Sequence, residues 1–140
     1  MTREKEKMLT RDEILNADDI KTEKISVPEW GGFVLIRSLT AKQKDAWENS
    51  LYETKRSGRD VKVELKKENI RARFVAISIV DESGTLMFTA GDLTALSQKS
   101  AAAMDRVFSR AQKLSSVTDE DLDVLEKNLS TTQTDSSNTN

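Results

Sequence analysis

The chain predicts a mainly helical α+β domain, an N-terminal β-hairpin followed by a small helical bundle. Three observations carry that expectation. Two strand-like runs flank the only adjacent glycine pair, Gly31-Gly32. Several segments open on helix-capping residues and continue with apolar residues at helical spacing. The stretch from Ile70 to Leu114 is compact and patterned throughout, and it holds no recognisable catalytic group.

Thr10-Arg11-Asp12-Glu13 fits a capping box, in which Thr accepts from the backbone N–H three residues on and Glu reaches back. It predicts a short helix through about Ala17, with Leu9, Ile14 and Leu15 turned inward. From Lys21 to Pro28 the residues alternate, Ile25 and Val27 on one face and Lys24 and Ser26 on the other. Phe33 to Leu39 is apolar, with β-branched Val34 and Ile36. Two such runs around Glu29-Trp30-Gly31-Gly32 read as a hairpin. Pro28 lacks a ladder donor and belongs at a strand end or sheet edge.

Thr40-Ala41-Lys42-Gln43 repeats the capping pattern and opens a helix to about Arg56, with Trp47 and Leu51 one turn apart and Gly58 as its C-cap. Residues 59–67 alternate weakly through Val61, Val63 and Leu65, as a short strand or an exposed loop. Ile70 to Val80 is apolar nearly all round. A central helix and a strand compete there, and its length and charged lead-in favour helix. Asp81-Glu82-Ser83-Gly84 is a turn, and Leu86-Met87-Phe88 a short apolar stretch. A short helix opens at Thr89 and carries Leu93 and Leu96. Ala101, Met104, Val107, Phe108, Ala111 and Leu114 mark the clearest amphipathic stripe. A last helix begins near Thr118, with early acids at the positive end of its dipole and an apolar edge of Leu122, Leu125 and Leu129. Residues 130–140 contain nothing to bury and are expected to be disordered. The expected organisation is therefore a flexible extension over 1–8, one domain over 9–129, and a polar tail over 130–140.

Composition narrows the function classes. A chain of 140 residues with 36% apolar content suits one domain. Net charge is −2 with both signs interspersed, so no clustered basic face is expected for nucleic acid. The basic residues around Lys66 and Arg71 are interleaved with Glu64 and Glu68 and read as a solvated face. No cysteine or histidine is present, which removes disulfides, thiolate metal sites and the commonest general base. Asp18-Asp19 and Asp119-Glu120-Asp121 sit at helix ends, where capping explains them, whereas a hard-cation site needs several converging oxygens. Gly31-Gly32 lacks the Lys-Ser/Thr of a phosphate loop. No window approaches the ~18 apolar residues of a membrane span. No catalytic residue, cofactor or metal is expected, and the remaining class is protein binding. Trp30 and Phe33 at the hairpin and Met87 and Phe88 after the turn are the candidate partner-binding residues. Trp30 has two readings, structural anchor and partner contact.

The order of four motifs resembles the tail assembly chaperones of long-tailed, siphovirus-type bacteriophages. They are the segment Met8-Leu9-Thr10-Arg11-Asp12-Glu13-Ile14-Leu15, then Val27-Pro28-Glu29-Trp30-Gly31-Gly32, then Val80-Asp81-Glu82-Ser83-Gly84, and finally the run from Lys99 to Phe108. The resemblance covers roughly residues 8–128. It implies a protein that coats the tape measure protein, keeps it soluble and helps recruit tail tube protein. The edge strand of the Trp30–Phe33 hairpin is separately expected to pair with another copy, giving self-association. It also implies action in the host cytoplasm, absence from the finished virion, and a longer frameshifted product in many members. Residues 1–7, ahead of Met8, and the 59–67 segment do not match the pattern. A structural tail or head–tail joining protein, and a small non-catalytic adaptor, are the competing readings.

Overall fold

The computed structural model describes residues 6–66, 68–117, 120, 121 and 123. The segment expected to be flexible therefore lies largely outside the described residues. So do the apolar edge of the last helix and the polar tail.

The first helix is α1 (Arg11–Asn16), and its capping box forms as expected at Thr10 and Glu13. Its apolar residues do not turn inward. Leu9, Ile14 and Leu15 are all exposed, as is Met8 before them. Six residues give too little helix to reach the body while five residues, 17–21, separate it from the first strand.

Strands β1 (Thr22–Val27) and β2 (Gly32–Arg37) pair antiparallel, Thr22 opposite Arg37 and Val27 opposite Gly32. Pro28 begins a single 3-10 turn over Pro28–Trp30, which Gly31 closes at φ +76°, a left-handed conformation that suits glycine. Helix α2 (Ala41–Ser50) starts on the expected Thr40–Gln43 capping box. It ends six residues earlier than the sequence suggested. Residues 52–57 instead form β3 (Tyr52–Ser57), which pairs with β4 (Asp60–Leu65). Gly58 is not a helix cap; with φ +63° it sits first in the two-residue turn between these strands.

The apolar run 70–80 contains both competing structures. Helix α3 (Ile70–Ala76) fills most of it, and β5 (Ile79–Val80) finishes it. Buried Ser78 makes the switch. Its hydroxyl donates to the Phe74 carbonyl at 2.8 Å, and its own carbonyl accepts the Arg37 N–H at 2.8 Å. Strand β5 thereby joins β2, and the sheet order is β1-β2-β5. Two short helical pieces follow, a 3-10 turn over Ala90–Asp92 and α4 (Leu93–Ser97), before α5 (Ala101–Leu114).

The expected hairpin-plus-bundle is thus corrected. Among the described residues the strands divide between a three-stranded and a two-stranded sheet, and helices pack on a sheet as well as on each other. The N-terminal pair is part of a sheet completed from residues 79–80, and the second sheet arises where helix was expected. Alternating polar residues in 52–57 carry no strong strand signal, and a short apolar run does not reveal its period.

The core lies where α3 and α5 meet the β1–β2 face. Ile25, Val27, Ile36, Phe74, Val75, Ile79 and Val107 are buried there. Phe74 stands between Trp47 and Phe108, with edge-to-face centroid distances of 4.9 and 5.5 Å, an arrangement that adds to simple area burial. Met104, Val107, Phe108 and Ala111 of the α5 stripe are buried, Leu114 is half-buried and Ala101 is exposed. Helix α5 ends on a Schellman motif. The N–H of Val117 donates to the Gln112 carbonyl at 2.8 Å and that of Ser116 to Lys113 at 3.2 Å. Ser116 occupies the left-handed position at φ +56°, where glycine is usual.

Candidate functional site

Two grooves flank the segment Leu86–Phe88. The turn before it is held by Asp81. Its side chain accepts the backbone N–H groups of Ser83 at 2.8 Å and Thr85 at 3.1 Å. The Ser83 hydroxyl, foremost, and these backbone groups hold the Asp81 carboxyl below its usual range. Gly84, at φ +85°, completes the turn, and its carbonyl accepts from Arg37 at 3.3 Å. The chain then returns along β5: Leu86 bridges Val80, and the Met87 N–H donates to Ile79 at 3.2 Å.

One groove, of about 320 Å³, lies between α2, α3 and this returning segment. Ala46, Trp47, Ala76, Ile77, Leu86, Phe88 and Leu93 make its lining mainly apolar. Gln43, Ser50, Arg73 and Thr89 are its polar side chains, and Arg73 donates to the Ser50 carbonyl at 3.1 Å, tying α3 to the end of α2. Trp47 is buried in this wall, and its indole N–H has no hydrogen-bond partner among the described residues. A buried donor without an acceptor is costly.

The second groove, of about 480 Å³, lies on the other side of Phe88. Trp30, Phe88, Ala95 and Leu96 line it, with Glu29, Asp92 and Lys99. Trp30 is half-buried and packs on the core. Glu29 receives Arg106 of α5 at 3.2 Å. Its own backbone N–H, and then Arg106, hold its carboxyl below the usual range. Arg110 likewise pairs with Glu23 of β1, so α5 is fastened by one ion pair to that strand and by another to the turn that follows it.

The structure therefore brings together two of the four expected partner-binding residues. Trp30 and Phe88 share a groove. Phe33 lies elsewhere, 56% exposed on β2, with the Lys24 ammonium 4.2 Å from its ring centre. Met87 is 53% exposed and lines neither groove. Sequence reasoning missed Leu86, Ile77 and Leu93 as surface apolar groups. Only the adjacency of Leu86 to Met87 hinted at the first. It also missed the outward face of α1.

These features offer adhesive apolar surface and helix-held grooves. Among the described residues no group of three or more acidic side chains gathers to hold a metal ion, and no helix is long and apolar enough to cross a membrane. The class they define is a protein-interaction domain. Residues 10–128 match the model of the phage tail assembly chaperone family, so the chain belongs to that family. No curated protein and no solved structure shows significant similarity to it.

Proposed function

We propose that this chain binds the tape measure protein of its phage, keeps that long helical protein soluble, and helps bring tail tube subunits to it. It acts in the host cytoplasm by binding alone, and it departs before the virion is complete. The observation that carries this reading is the apolar wall shared by both grooves. Phe88 separates them, Trp47 and Ile77 stand on one side, and Trp30 and Leu96 on the other. A helical client presents apolar residues every three or four positions, and helix-in-groove docking uses such anchors. Leu86 lines the first groove and Met87 next to it in the chain is exposed, and methionine adapts to varied client side chains. Phe33 supplies a further contact from the sheet. Self-association would set several copies along one client.

Co-expression with the tape measure protein tests the reading. Rescue of that protein into the soluble fraction, with co-purification, is expected. Trp30→Ala combined with Phe88→Ala should abolish the rescue while the chain stays folded. Phe33→Ala and Met87→Ala should weaken it less. A folded, soluble chain that gives no rescue sinks the proposal.

A further inference from the structure

The β3–β4 hairpin carries charges that its own fold does not arrange well. Its register sets Glu53 opposite Glu64 and Lys55 opposite Lys62. Like charges directly opposite on neighbouring strands are destabilising. Diagonal pairing relieves part of this, because Lys55 reaches Glu64 at 3.1 Å, and Lys62 reaches the same carboxylate at 3.5 Å along the strand. The other face holds Tyr52, Thr54, Arg56, Val61, Val63 and Leu65, with Val61 60% exposed beside Arg56. Among the described residues the sheet has two strands only, and β4 is one of its edges. A two-stranded sheet is marginal in water without something packed on or beside it.

The sequence of β4 is complementary to itself. It reads Asp60-Val61-Lys62-Val63-Glu64-Leu65, with Lys66 next. Reversed about Val63, every charge meets its opposite and every apolar residue meets another. We propose that β4 pairs edge to edge and antiparallel with β4 of a second copy, with the two-fold axis at Val63. In that register Lys62 faces Glu64 of the second copy, Asp60 faces Lys66, and Val61 faces Leu65, each twice by symmetry. Lys62, which has Lys55 on its inner side, gains a carboxylate on its outer side. Glu64, which has Glu53 inside, gains an ammonium. The result is a four-stranded sheet whose two inner strands set Val61, Val63 and Leu65 of both copies side by side on one face. Strand β3 does this less well: about Thr54 it matches Glu53 to Lys55 and Tyr52 to Arg56, with no aliphatic pair. The inference gives a surface to the self-association proposed above. Its readout involves no client, so it fails or stands apart from the co-expression result.

The test is sedimentation equilibrium on the full chain and on charge variants. The wild-type chain is expected to dimerise. Lys62→Glu and Glu64→Lys each turn two attractions into two repulsions, and each should weaken the dimer about tenfold or more. Mixing the two variants should restore it, because the carboxylate introduced in one then faces the ammonium introduced in the other. A variant that had merely lost its hairpin would not be rescued by mixing. Glu53→Lys should leave the dimer intact. A wild-type chain that stays monomeric up to its solubility limit overturns the proposal. So does a dimer indifferent to Lys62→Glu, a mixture without rescue, or a dimer broken by Glu53→Lys instead.

Discussion

The two hairpins, residues 22–37 and 52–65, share an antiparallel design and differ in what their faces meet. The first buries Ile25, Val27 and Ile36 against helices and gains a third strand from β5. The second has almost nothing beneath it; all of β3 beyond Tyr52 is exposed. It is tied to the body at its base, where the Lys66 N–H donates to the Leu51 carbonyl. The contrast teaches that one element type leans on a core in one place and on the diagonal Lys55–Glu64 ion pair in the other. Core substitutions should therefore act on global unfolding, and arm substitutions should leave it nearly untouched.

Phe74→Ala should have the largest effect. It empties the centre of the Trp47–Phe74–Phe108 stack and should cost about 3–5 kcal/mol in chemical denaturation. Ile36→Ala in the first hairpin should cost about 2–5 kcal/mol, whereas Val61→Ala in the second should stay within about 0.5 kcal/mol. Equal costs for these two would erase the distinction between the hairpins. Capping effects come next. Thr40→Ala should lose about 1 kcal/mol. Ser116→Gly should gain up to about 1 kcal/mol, because the left-handed residue of the Schellman motif would then carry no Cβ penalty.

Acid should sharpen the contrast with the smallest effect. Lys55, foremost, holds the Glu64 carboxyl below its usual range. A depressed folded pKa contributes stability above the unfolded value, and that stability is lost as pH falls through the folded value. The arm should therefore loosen as pH drops through and below the ordinary carboxylate range, while the first hairpin keeps its apolar support. Amide exchange followed residue by residue would show it. Simultaneous loss of protection in both hairpins would contradict the comparison.

What the sequence disclosed follows the same division. Thr10 and Thr40 announced their helices because a capping box is a local bond pattern. The stripe through Met104, Val107, Phe108 and Ala111 announced α5 because a buried face repeats. The strand at 52–57 was hidden, since its alternation is between polar residues and its stability is not a matter of burial. The split of 70–80 turns on one buried hydroxyl, Ser78, which no periodicity reveals. Exposure of Ile14 and Leu15 reverses their expected role, because apolar residues mark a face without saying what covers it. Trp30 and Phe88 were each singled out from their own neighbours. That they share a groove depends on β5 returning the chain beside β2, a long-range fact.

The chain's two tryptophans occupy unlike settings. Trp47 is buried beside Phe74, while Trp30 is half-open on the second groove. Their fluorescence therefore makes the protein its own instrument. With Trp47→Phe, emission reports the groove alone and should shift to the blue when a client excludes water from Trp30. With Trp30→Phe, emission reports Trp47, buried in the wall of the first groove, and should change far less on client binding than on unfolding. Binding and folding become separable by colour in a chain that carries no added dye.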